Sequence, residues 1–142
     1  MRRSFFVLIA ILFIGGTAYA QTKVANYSYG KPGTDTYEQL SFWVKDGKKS
    51  SIDYNYGRDR KEVKLRYAGR YEASFKVQFP NNTTLTVNPK GTTLIVVNTK
   101  SNYAKTFVWE YEGPVNGIGT FCDVCAQDEK EAMRLIRTYY FR

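Results

Sequence analysis

Apolar and polar residues alternate in short runs along this chain, each ended by turn-forming residues, and a period of two restricts the fold to sheet. The longest run is Tyr71–Phe79. Tyr71, Ala73, Phe75, Val77 and Phe79 are apolar, while Glu72, Ser74, Lys76 and Gln78 are polar. Such a strand buries one face and wets the other, as antiparallel sheets allow. Pro80 and Asn81-Asn82 end it, Thr83–Asn88 follows, and Pro89-Lys90-Gly91 reads as the next turn. Thr92–Thr99 carries the unalternating Leu94-Ile95-Val96-Val97, which predicts a strand covered on both faces, one of them by a helix.

Four runs precede these: Lys23–Tyr29, Tyr37–Lys45, Ser51–Tyr56 and Lys61–Tyr67. One follows, Tyr103–Glu112. Asp46-Gly47 is a strong hairpin signal, because glycine accepts positive φ in a two-residue turn. The sum is about eight strands in up-and-down order. The period then changes. Ala132, Leu135, Ile136, Tyr139 and Tyr140 form one helical stripe, and acidic residues early and arginines late suit the helix dipole. This predicts a helix over Val124–Tyr140, capped by Asp123 and packed on the sheet. The fold class is therefore mostly β: an antiparallel, barrel-like sheet with one C-terminal helix. In outline it is similar to lipocalin-like proteins. The resemblance is architectural alone, since the early Gly-x-Trp of that family is missing: Trp43 follows Ser41-Phe42.

The first twenty residues read as an export signal. Arg2 and Arg3 precede an apolar run from Phe5 to Ile14, and Ala18-Tyr19-Ala20 supplies small residues before a cleavage at Gln21. The apolar run is about half the length that spans a bilayer. No transmembrane anchor is expected after cleavage. The mature chain, Gln21–Arg142, reads as one domain, periplasmic or secreted. Losing Arg2 and Arg3 lowers the net charge from +8 to +6.

Three features could carry chemistry. Cys122 and Cys125 are the only cysteines, and an oxidising compartment predicts that they bond to each other. One reading is a staple at the helix start, worth about 2 kcal/mol of loop-closure entropy. The other is thiol–disulfide exchange, because a thiolate at a helix N-terminus is activated. The second feature is the loop holding Gly113, Pro114, Asn116, Gly117 and Gly119, whose glycines imply a tightly constrained backbone. It is a candidate site or simply a crossover, and it matches no phosphate-cradling motif. Glu110 and Glu112 beside it share a strand face, about 7 Å apart.

The third feature is basic. Lys45–Arg70 holds nine cations against four acidic residues, and Arg58, Arg60, Lys61, Lys64, Arg66 and Arg70 form a candidate patch for an anionic polymer. Export makes anionic polysaccharide or an envelope protein the expected partner, and nucleic acid not. The alternative is an ordinary solubilising surface.

Histidine is absent, which removes the commonest general base and metal ligand. No catalytic constellation, metal cluster or cofactor loop is visible, so no catalytic residue, metal or cofactor is assigned. The leading expectation is an exported, non-enzymatic binding domain. The alternatives are a thiol–disulfide protein acting through Cys122 and Cys125, and a carrier of a small apolar ligand inside the barrel. A filled interior would speak against the carrier.

Overall fold

A computed structural model describes residues 21–111 and 122–141. Residues 1–20, read above as an export signal, Glu112 and the loop of Gly113, Pro114, Asn116, Gly117 and Gly119 lie outside the described residues. The strands are β1 (Thr22–Tyr29), β2 (Glu38–Lys45), β3 (Lys48–Tyr56), β4 (Lys61–Tyr71), β5 (Ser74–Gln78), β6 (Thr84–Lys90), β7 (Thr93–Asn98) and β8 (Tyr103–Trp109). Each pairs with the next in antiparallel order, and the eight close into a barrel. The helix α1 (Glu129–Leu135) continues into a π-helical turn at Ile136–Tyr140.

Alternation decides the interior. Tyr27, Leu40, Phe42, Ile52, Phe75 and Phe107 are among the inward side chains with no more than 1% of their surface exposed. Each such residue contributes about 1.5–3 kcal/mol by leaving water. Their rings meet across the axis: Phe42 lies 5.8 Å from Phe75, and Tyr140 lies 5.3 Å from Phe42 and 5.7 Å from Phe75. The helix thus packs on the inner face of the sheet, as a plug in one end of the barrel. Asp46 and Gly47 both take positive φ, 55° and 70°, between the paired Lys45 and Lys48. That is the primed turn whose twist matches the strands it joins.

The barrel closes in two parts. Only the upper half of β1 pairs with β8, through Tyr27↔Trp109 and Ser28↔Val108. Glu110 N–H then donates to Asn26 O at 2.9 Å. Below that point the segment 124–126 lies along β1 instead. Val24 N–H donates to Val124 O at 2.8 Å, and Ala126 N–H donates to Val24 O at 2.9 Å.

Four expectations are corrected. First, Tyr71–Phe79 is not one strand. Tyr71 pairs with Ser74 across a two-residue turn in which Glu72 takes φ 51°. That turn puts Tyr71 on Ser74's face, opposite Phe75, so Tyr71 is 59% exposed although it is in phase with the core residues. Second, β7 is covered on one face only. Leu94 and Val96 are buried while Ile95 and Val97 are half-buried, because the helix plugs an end rather than covering the outside. Third, the helix begins at Glu129, not Val124. Residues 124–126 are held extended by β1, and Asp128 is the cap, accepting from Glu131 N–H at 2.8 Å. Fourth, Pro89 and Lys90 belong to β6. Pairing with β5 ends at Val87, so the missing proline N–H interrupts no ladder there.

Candidate functional site

Residues that point outward from β1, β2 and β3 should be wet, yet several are not. Asn26, Ser28, Gln39, Ser41 and Asp53 are all buried to 9% exposure or less. The register sets them in cross-strand rows. Asn26 stands opposite Ser41 and Ser41 opposite Asp53, while Ser28 faces Gln39 and Gln39 faces Asn55. Asn26, Gln39, Ser41, Asp53 and Asn55 line, with Trp43 and Glu110, a groove of about 620 Å³, walled by Val24, Val124 and the two cysteines. That volume is in the range of small-ligand sites.

Hydrogen bonds lock the floor. Ser41 Oγ donates to Asn26 Oδ1 at 2.7 Å. Trp43 Nε1 donates to Asp53 Oδ2 at 2.9 Å, and Lys64 Nζ donates to Asp53 Oδ1 at 2.6 Å. The hydrogen bonds to Asp53 and Glu62 hold the Lys64 ammonium above its ordinary pKa. Trp43 is placed by a bulge, since Phe42 pairs with Ile52 but Val44 with Lys49. Bulges re-aim side chains at sites. At the upper rim Tyr37 is fully buried and donates from its hydroxyl to Glu110 Oε2 at 2.7 Å. Burial, then the bond to Glu110, pushes the Tyr37 phenol above its usual pKa. Gly30, at φ 81°, lets this corner close: a Cβ there would meet Thr36 O at 2.7 Å.

The disulfide forms a wall of the groove. Cys122 and Cys125 are bonded, with 7% and 2% of their surface exposed. The ring is tied down by Gln127 Nε2, which donates to Cys122 O at 3.0 Å and Cys125 O at 2.8 Å. Asn26 Nδ2 lies 3.8 Å from Cys125 Sγ. The ring does not stand at a helix start, so the dipole that would activate a thiolate there is missing.

The six basic residues do not form one surface. Arg58 pairs with Asp35 at 3.5 Å, and Arg60 stacks over Tyr37, 5.3 Å from the ring centre, at the groove's rim. Lys61 is exposed at the start of β4, and Lys64 is bound to Asp53 and Glu62. Arg66 donates to Gln78. A register shift after Tyr67 turns Arg70 toward the helix, where it donates to Phe141 O at 2.8 Å. Lys64 and Arg66 do stand on the solvent face of β4, as the alternation predicts.

At the barrel mouth, inside the wall, Glu38 accepts from Tyr54 at 2.6 Å, Tyr103 at 2.8 Å and Lys105 at 2.6 Å. Burial, reinforced by this carboxylate, raises both phenols' pKa.

The groove was not read from the sequence, although a signal for it exists. The outward positions of β1–β3 hold amides, serines and Asp53, where β4 presents Glu62, Lys64 and Arg66. Short polar side chains in place of long charges mark a wall with something over it. No protein-family model matches the chain, and neither a curated protein nor a solved structure is similar to it.

Proposed function

We propose that the protein is an exported, non-enzymatic binding domain whose groove on the outer wall of β1–β3 takes a neutral or amine-bearing saccharide. The observation that carries this reading is the buried row of polar side chains on faces that should be solvated, beside one tryptophan. Amide, hydroxyl and carboxylate groups supply dense donors and acceptors, and Trp43 supplies apolar ring surface for a sugar face. A peptide adding as a strand in the groove is disfavoured, because the parts of β1, β2 and β3 that line it are paired on both sides. The lining holds Asp53, Glu62 and Glu110 against Arg60, with Lys64 bound to Asp53 and Glu62, so the groove offers an anionic polysaccharide little attraction.

Binding without catalysis is supported by the carboxylates themselves. Asp53 and Glu110 are separated by three strand spacings, about 14 Å between backbones. Each is engaged by neighbours, Asp53 by Trp43 and Lys64, Glu110 by Tyr37 and Gln39. The bonded cysteine pair is compatible with an oxidising compartment. The burial of both cysteines and the tied-down ring favour the staple over exchange. The rings that meet across the barrel leave the carrier reading little room.

Titration calorimetry of Gln21–Arg142 against neutral, amino and uronic-acid oligosaccharides tests this. Heat is expected from the first two and none from the third, with Trp43→Ala abolishing it and Arg66→Ala leaving it unchanged. Binding confined to uronic acids, or indifferent to Trp43→Ala, would refute the reading.

A further inference from the structure

The helix-plugged end of the barrel carries a second pocket of opposite electrostatic character. It measures about 380 Å³ and is lined by Lys130, Met133, Arg134, Arg137 and Thr138 of the helical segment and by Gly91 and Thr92 of the β6–β7 turn. Lys130, Arg134 and Arg137 are among its lining residues, and no carboxylate is. Among the described residues none of these cations forms an ion pair, whereas Lys23, Arg58, Lys64 and Lys105 each have a carboxylate partner. Lys130, Arg134 and Arg137 follow one another at four and three residues, the spacing that stacks side chains on one helix face. Like charges so spaced repel and cost helix stability. The helix dipole favours the late arginines, but no carboxylate lines the pocket, so an anion from outside is the natural counterweight.

We propose that this pocket binds a phosphoryl group, presented by a soluble phosphoester or by a lipid headgroup. Two guanidinium groups and an ammonium match the oxygens of a dianion, since arginine donates in a fork that fits phosphate. Thr92 and Thr138 add hydroxyl donors, and buried Met133 gives an apolar floor for the rest of the ligand. The site is independent of the saccharide groove. It also differs from the basic patch expected between Arg58 and Arg70, whose members are dispersed and largely engaged within the fold.

The test compares two double variants at low salt. Glucose 6-phosphate is titrated into the protein by calorimetry, and sedimentation is measured with phosphatidylcholine vesicles containing phosphatidic acid. Arg134→Ala with Arg137→Ala is expected to weaken binding at least about tenfold, as loss of charge-assisted bonds implies. Lys61→Ala with Arg66→Ala removes the same net charge and is expected to change it less than twofold. Both arginines are exposed, so circular dichroism should stay that of the parent. Dependence on Arg134 and Arg137 in the sugar-phosphate arm supports a soluble phosphoester. The same dependence in the vesicle arm alone supports a headgroup. Equal losses from the two double variants would reduce the site to general charge and overturn the proposal. So would the absence of binding in both arms.

Discussion

The middles of strands β1, β2 and β3 are buried on both faces, and the two faces achieve this by opposite chemistries. Inside, Tyr27, Leu40, Phe42 and Ile52 exclude water by packing against one another and against the helix. Outside, Asn26, Ser41 and Asp53 are buried among hydrogen-bonding partners. The inner face gains free energy from burial itself. The outer face gains little, because each polar group gives up water for a protein partner at a net of about 1 kcal/mol. Stability and recognition are therefore separated across a single layer of backbone. Perturbing one face should leave the other's property measurably intact.

The largest expected effect comes from pH. Burial raises the phenol pKa of Tyr27, Tyr37 and Tyr140 above 10, the value they take in the unfolded chain. Between those values the unfolded state has lost protons that the folded state keeps, so stability falls as pH rises. Each phenol contributes about 1.4 kcal/mol per pH unit, and three together about 4. Full stability is present below pH 10 and is lost above it. Urea unfolding from pH 8 to 11.5 should show a midpoint that is flat and then collapses. A midpoint independent of pH above 10 would mean that these hydroxyls are solvated.

Side-chain truncation sharpens the contrast. Phe75→Ala should cost about 3–5 kcal/mol, the range for a buried aromatic. Ser41→Ala on the outer face should cost about 1 kcal/mol, while weakening saccharide binding severalfold. Denaturant midpoints and calorimetry on both variants read the two effects separately. Equal stability losses from the two substitutions would erase the distinction between the faces.

How much of this was legible follows from what alternation encodes. A period of two reports which side of a strand a residue occupies, so the eight strands and the inward Phe42, Phe75 and Phe107 could be read directly. It is silent on turns lacking turn residues, which is why the hairpin at Glu72-Ala73 was hidden. It is equally silent on what covers the outside, because burial of Asn26 depends on chain returning from Glu110 and Cys125, far along the sequence. Capping was half legible. Asp123 and Asp128 both qualify as N-caps, but only Asp128 has an acidic residue three positions on, Glu131, whose carboxylate accepts from Gln127 N–H at 2.8 Å.

The disulfide belongs to the outer face, where it packs with Val24. Replacing Cys122 and Cys125 together by serine should cost about 2 kcal/mol in the chain-entropy picture. Since the ring walls the groove, saccharide binding should weaken by more than the stability loss explains. Calorimetry at a temperature where the variant is fully folded separates the two contributions. Unchanged affinity would show that the ring serves the barrel alone.

The smallest change joins the faces most directly. The bulge at Trp43 leaves backbone carbonyls without strand partners, and the Tyr140 hydroxyl reaches through from the interior to fill the gap. It donates to Trp43 O at 2.6 Å and lies 3.3 Å from Ser51 O. The ring of Tyr140 belongs to the packed interior, while its oxygen holds the backbone from which the groove's tryptophan projects. Tyr140→Phe keeps the ring and removes the bond, so stability should fall by about 1 kcal/mol. The indole's own hydrogen bond goes to Asp53, whereas the lost bond is to the tryptophan's backbone oxygen. A change in Trp43 fluorescence or in saccharide affinity would therefore report transmission across the sheet. Stability loss with both readouts unchanged would show that the bulge holds its shape without the plug, and that the two faces are independent at this point too.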